Sequence, residues 1–176
     1  MTRLAPLLER NERFARDHVP VALGLPTAQV VVVTCLDHRI DPAAVLGLRP
    51  GEAPVIRNAG GRITPSVIND LGYLAFLAEE LFSVTGPLFE VAIMHHTQCG
   101  TGFLADPAFL QRAAQATGVP EAVLRASEVA EPERTVREDV ERLLASPALS
   151  SRVSVSGHVY AIETGLVTTV VDAVTV

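Results

Sequence analysis

The sequence predicts an α/β domain: a mainly parallel sheet with one antiparallel edge strand, helices on both faces and an N-terminal helical arm. Three observations point there. Short apolar runs alternate with helical segments, the order that builds right-handed βαβ crossovers. The run Val30–Thr34 is β-branched throughout, as suits a parallel strand buried on both faces. The last two runs, Val153–Ile162 and Leu166–Val171, are joined only through Glu163-Thr164-Gly165, a link too short for a crossover. They therefore form a hairpin and supply the antiparallel edge.

Taken in order, Leu4–His18 sets Leu4, Leu7, Leu8 and Phe14 among charges, an amphipathic helix within an arm spanning residues 1–20. After the strand Val30–Thr34, Asp41-Pro42 is an N-cap followed by Pro at the first helical position, opening a short helix to Leu48. Ala53–Arg57 reads as the second strand, ended by a Gly60-Gly61 turn. Thr64-Pro65 opens a helix whose Val67, Ile68, Leu71, Leu74, Leu77, Ala78 and Leu81 recur every three or four residues. Leu88–Met94 is the third strand. Asp106-Pro107 opens a helix to Thr117, closed by Gly118, and Glu133–Leu144 is a further amphipathic helix.

A chain of 176 residues, 48% hydrophobic and 19% charged, fits one packed domain, 1–176. Its net charge of −6, with basic residues scattered, argues against a nucleic-acid partner and for a small molecule or another copy of the chain. The first twenty residues are charged and lack the apolar core of an export signal, and no apolar stretch is long enough for a bilayer. The expectation is a cytoplasmic protein with no membrane partner. Two cysteines in that compartment suit ligand or nucleophile roles better than a structural disulfide.

Their positions carry the chemistry. Cys35 directly follows the first strand, and His96 and Cys99 directly follow the third, so parallel strands deliver all three to one end of the sheet. Two thiolates and an imidazole favour zinc, and three protein ligands leave a fourth position open, as in a catalytic site. Asp37 can fill that position, or Arg39 can hold it away with a bidentate guanidinium fork. Zinc with two thiolates is formally neutral, which predicts a less acidic bound water than in a cationic three-histidine site, and activity favoured by alkaline pH. His95 competes with His96. Adjacent residues point apart as the strand ends, and the two-residue spacer to Cys99 makes a compact chelate, so His96 is favoured and His95 is left a role behind the ligands or in packing. His18, His38 and His158 have no visible partner and read as surface or packing residues. Gly100 and Gly102 read as a turn, and Asn58–Gly61 can line the pocket. A non-catalytic zinc scaffold and, without metal, a Cys35–Cys99 dithiol switch are the competing readings.

At these residues the chain resembles the β-class carbonic anhydrases. Cys35-x-Asp37-x-Arg39 and His96-x-x-Cys99 match that family's paired motifs in order, and Val55-Ile56-Arg57-Asn58-Ala59-Gly60 resembles the segment between them. The resemblance implies Zn2+ on Cys35, His96 and Cys99, with Asp37 as the ligand that closes the site. It also implies Asp37 and Arg39 as the dyad that opens it, and reversible hydration of carbon dioxide to bicarbonate by a zinc-bound hydroxide. A homodimer or higher homo-oligomer, with the N-terminal helix embracing its partner, is implied too. Relatives on this scaffold hydrolyse carbonyl sulfide or carbon disulfide with the same ligands. Two positions depart from the family pattern: His38 stands where Ser or Ala is common, and Gln98 where Asp or Gly is.

Overall fold

Capping chemistry sets most of the helix starts. In the computed structural model, which describes residues 2–175, the helices are α1 (Ala5–Arg16), α2 (Pro42–Leu46), α3 (Pro65–Phe82), α4 (Pro107–Thr117), α5 (Glu121–Arg125) and α6 (Pro132–Leu144). The side chains of Asp41, Thr64 and Asp106 accept hydrogen bonds from the first-turn amides of α2, α3 and α4, with Pro opening each helix. α2 ends two residues before the expected Leu48, because Gly47 takes a left-handed φ of 68° that no helix continues.

The strands are β1 (Val30–Cys35), β2 (Val55–Asn58), β3 (Glu90–His96), β4 (Ser154–Tyr160) and β5 (Val167–Thr175). They lie side by side as β2-β1-β3-β4-β5, with the first four parallel and β5 antiparallel to β4. β3 runs past the expected Met94: His95 pairs with Val159 and His96 with Tyr160, and the Thr97 amide donates to the Tyr160 carbonyl at 3.0 Å. Both histidines are thus still in the ladder and point to opposite faces. β5 continues to Thr175, four residues beyond the expected Val171, across a register irregularity.

One face of the sheet packs on the two long helices. Val67, Leu71, Ala75 and Ala78 of α3 and Val136, Val140 and Leu143 of α6 close over Val31, Val33, Val91, Ile93, Val155 and Val159. The other face carries a smaller apolar cluster, in which Val32 and Met94 meet Ile40, Cys99 and Val129. The short 3-10 segment Gly100–Ala105 and α5 were not legible in the sequence, because elements this short show no period. α1 buries none of its residues, so Leu4, Leu7, Leu8 and Phe14 stay more than half exposed. Among the described residues, no helix is long and apolar enough to cross a membrane.

Candidate metal centre

β1 delivers Cys35 to its place because Gly61 lets the backbone in. Gly61 has φ of 69°, and a Cβ there would stand 2.8 Å from the Cys35 amide nitrogen. Arg57 then ties the segment after Cys35, donating to the carbonyls of Cys35 (3.0 Å), Asp37 (2.7 Å) and Ile40 (2.8 Å). Cys99 arrives from the other side. Gln98 reverses the chain after β3 with a left-handed φ of 53°, and the Gly102 amide closes on the Cys99 carbonyl at 2.9 Å.

The result is a buried cluster of Cys35, His96 and Cys99 whose ligand atoms lie within 4.8 Å of one another. Among the described residues it is the only such grouping. The Sγ atoms are 3.8 Å apart, and two sulfurs each about 2.3 Å from a tetrahedral zinc ion would stand about 3.8 Å apart. The His96 Nδ1 is engaged with the Thr97 carbonyl at 2.9 Å, which leaves Nε2 as the free ligand atom. That Nε2 is buried with no hydrogen-bond partner. A buried orphan nitrogen beside two sulfurs at zinc spacing fits a zinc ion.

The electrostatics tie loading to proton release. The hydrogen bond with Cys99 and burial together push the Cys35 thiol up, while the bond from Cys35, followed by the neighbouring His96 ring and Thr101 hydroxyl, draws Cys99 down to about 4. The two shifts belong to one pair: a proton shared between the sulfurs favours a thiol at one and a thiolate at the other. Burial pulls His96 down, but the neighbouring Cys99 sulfur outweighs it and the net shift is upward. A cation in the middle replaces that shared proton and satisfies all three atoms at once.

Asp37 stands outside this cluster. Arg39 Nε donates to its Oδ1 at 3.0 Å and Nη2 to its Oδ2 at 2.6 Å, and the Arg39 amide adds a bond to Oδ1 at 2.9 Å. These bonds hold its carboxyl far below the usual carboxylate range. Arg39 Nη2 also donates to the Gln98 carbonyl at 2.8 Å, so the fork spans both halves of the site. His38 is fully out in solvent, 3.7 Å from Asp37.

The family model for carbonic anhydrase matches residues 30–129, which contain every residue named so far in this site. The chain is 31% identical to β-carbonic anhydrase 1 of Mycobacterium tuberculosis over 145 residues, covering 80% of each protein. This chain belongs to the β-class carbonic anhydrase family. Among solved structures it is similar to the carbonic anhydrase of Streptococcus mutans, with a TM-score of 0.78, 30% identity, and 97% of this chain and 98% of that one covered. It is also 28% identical over 181 residues to a carbon disulfide hydrolase of an Acidianus species, covering 89% of this chain and 83% of that one.

In this β-class carbonic anhydrase family member, His95 faces away from the cluster. Its Nδ1 lies 2.8 Å from the Thr135 hydroxyl, and its Nε2 lies 3.3 Å from Asp139 Oδ2, close enough for attraction but not aligned for a hydrogen bond. Asp139, also fully buried, takes a 2.6 Å bond from Arg62 and a further one from Arg142. His158 is half-buried rather than on the surface, between the hydroxyls of Ser156 and Thr169. The Arg62–Asp139–His95 group was not anticipated, because its members lie far apart in the chain, Arg62 and Asp139 by 77 positions, with no shared motif. Only a buried aspartate on the apolar face of α6 hinted at it.

Proposed function

We propose that this protein hydrates carbon dioxide reversibly to bicarbonate, with zinc held by Cys35, His96 and Cys99. The single observation that carries the reading is the open site: three ligand atoms gathered at zinc spacing while Asp37 is held aside by Arg39. Zinc bound there would supply a Lewis acid that turns water into a usable nucleophile near neutral pH.

The protein's own residues do the rest. Arg39 takes both lone pairs of Asp37 Oδ1, through its Nε and its backbone amide, and one of Oδ2, so Asp37 remains an anion whose Oδ2 can still accept a hydrogen bond from water entering the site. If Arg39 released it, the same carboxylate would close the fourth position. An open cleft of about 570 Å³, lined by Arg39, Gln98, Cys99, Gly102, Phe103 and Val129, leads to the Cys99 side. Apolar Phe103 and Val129 suit a small uncharged substrate, and Arg39 at the rim suits an anionic product.

The second reading is hydrolysis of carbon disulfide or carbonyl sulfide by the same groups. What favours it is the similarity to named carbon disulfide hydrolases, at 26–28% identity. A non-catalytic zinc scaffold is the third reading, and the Arg39-held Asp37 speaks against it, since a purely structural site needs no displaced carboxylate. One purified sample, assayed for zinc by elemental analysis and for turnover of carbon dioxide and carbon disulfide, decides among the three. About one zinc per chain with carbon dioxide as the faster substrate is expected. Faster turnover of carbon disulfide selects the hydrolase, and zinc with neither turnover selects the scaffold.

For assembly, the proposal is a homodimer or a multiple of it, because the apolar stripe of α1 is uncovered within one chain. The proposed compartment is the cytoplasm, where two free thiols stay reduced and available to metal.

A further inference from the structure

The turn after β3 presents two successive carbonyls to the site. Thr97 O receives the His96 ring at 2.9 Å, and Gln98 O receives Arg39 at 2.8 Å. One short stretch of backbone therefore aims both a proposed zinc ligand and the guanidinium that holds Asp37. Its conformation is not a relaxed one, since Gln98 sits at φ of 53°, a region that side chains other than Gly, Asn and Asp enter at a cost. Something outside the turn has to hold it there.

Glu163 meets that need from the loop between β4 and β5. Its Oε2 accepts from the Thr97 hydroxyl at 2.7 Å and its Oε1 from the Gln98 side-chain amide at 2.6 Å. The Thr97 hydroxyl in turn accepts from the Ile162 amide at 3.0 Å, and the Thr97 amide donates to the Tyr160 carbonyl at 3.0 Å. Both bonds to Glu163 are charge-assisted, and together they fix two consecutive side chains of the turn. The pairing also accounts for the amide at position 98. An aspartate there would set two carboxylates against each other, whereas glutamine donates a hydrogen bond to Glu163.

We infer that Glu163 and Gln98 form a clamp that positions His96 and Arg39, making Glu163 a positioning residue supplied by the edge hairpin. The inference rests on the proposed zinc reading. Neither residue touches the ligand atoms, so the effect is transmitted through the Thr97 and Gln98 carbonyls.

The test uses the full-length zinc-loaded protein and reads zinc retention against a chelator as well as carbon dioxide hydration. Glu163→Ala and Gln98→Ala should each weaken zinc retention about tenfold, the low end for groups that orient a metal ligand from behind. Each should lower kcat with KM unchanged, and the double variant should be no worse than Glu163→Ala alone, which already removes the bond to Gln98. Glu163→Gln keeps a partner for Thr97 and loses the one for Gln98, so it should fall between wild type and Glu163→Ala and serves if the alanine variants fold poorly. The swap of Glu163→Gln with Gln98→Glu keeps the bond from Thr97, restores the 98–163 bond in reverse polarity and should recover most of the zinc retention.

Glu163→Ala or Glu163→Gln indistinguishable from wild type, additive losses in the double variant, or a swap without recovery would each overturn the clamp. If the wild type holds zinc and hydrates carbon dioxide beside such variants, the clamp alone fails. A wild type that holds no zinc overturns the proposed function and the clamp together.

Discussion

His95 and His96 are neighbours on one strand, yet they end in opposite kinds of environment. His95 faces α6, where Thr135, Asp139 and Arg62 form a buried polar group with the partly exposed Arg142 at its edge. His96 faces the end of the sheet, where its Nε2 meets two sulfurs and has no partner. Behind the strand the protein supplies its own counter-charges, while in front it leaves a gap that a cation fits. Side-chain type does not separate these roles; what separates them is what the fold sets against each Nε2, the Asp139 carboxylate behind the strand and two sulfurs in front.

The sharpest way to break this comparison is to remove one histidine at a time. His96→Ala should lose nearly all zinc and activity, as should Cys35→Ser and Cys99→Ser, while His95→Ala should keep close to one zinc per chain. Elemental analysis of the four variants checks it, and full zinc in His96→Ala would reverse the assignment.

On the buried side, the expected effect is on stability. Asp139→Ala strands Arg62 without its carboxylate inside the protein and should cost about 3–5 kcal/mol, read by urea unfolding of the zinc-loaded chain. A cost under about 1 kcal/mol would mean water reaches Arg62, and the contrast between the two faces would lose its basis.

Arg39 belongs to the open side, where the loss should be kinetic instead. Arg39→Ala should retain zinc and fold but lose about tenfold to a hundredfold in carbon dioxide hydration, the worth of one or two charge-assisted hydrogen bonds. Arg39→Lys keeps the charge without the fork and should recover only part of it. Equal rates in wild type and Arg39→Ala from about pH 6 to 9, a range around the reference pKa of zinc-bound water, would reduce Arg39 to a surface charge.

The smallest effect separates the faces by pH. Burial raises the Asp139 carboxyl, but the His95 ring and Arg62 outweigh it and the net shift is downward. A group lowered in the folded state stabilises fully above its unfolded pKa and loses that contribution as pH falls towards the folded value. The window therefore lies below about pH 4, the ordinary carboxylate value. Melting temperature followed from neutral pH down to about pH 2 should fall less steeply for Asp139→Asn than for wild type, once the neutral-pH difference is subtracted. Parallel curves would show that Asp139 is not an acid-sensitive group of the fold.

The two faces also differ in how readable they were. The open side announced itself through rare residues: two cysteines, each just after an apolar run, with an Asp–Arg pair and a histidine at chelating distance along the chain. The closed side is built from common residues on separate elements. Arg62 lies beyond a glycine turn, Asp139 sits in a helix, and Thr135 is one turn before it. Glu163 was visible only as part of a hairpin link. Nothing in its local pattern says that its carboxylate reaches Thr97 and Gln98.

Local chemistry settled what depends on near neighbours: helix starts at Asp41, Thr64 and Asp106, the apolar strands, the antiparallel hairpin and the candidate zinc ligands. These follow from hydrogen bonds and periodicities that span a few residues. Tertiary structure decided the rest. It carried β3 through His96 in register with Tyr160, set the Gln98 carbonyl against Arg39, and brought Glu163 across from the edge hairpin. Those outcomes depend on pairing register and on packing between segments far apart in the chain, and no window of sequence contains both partners.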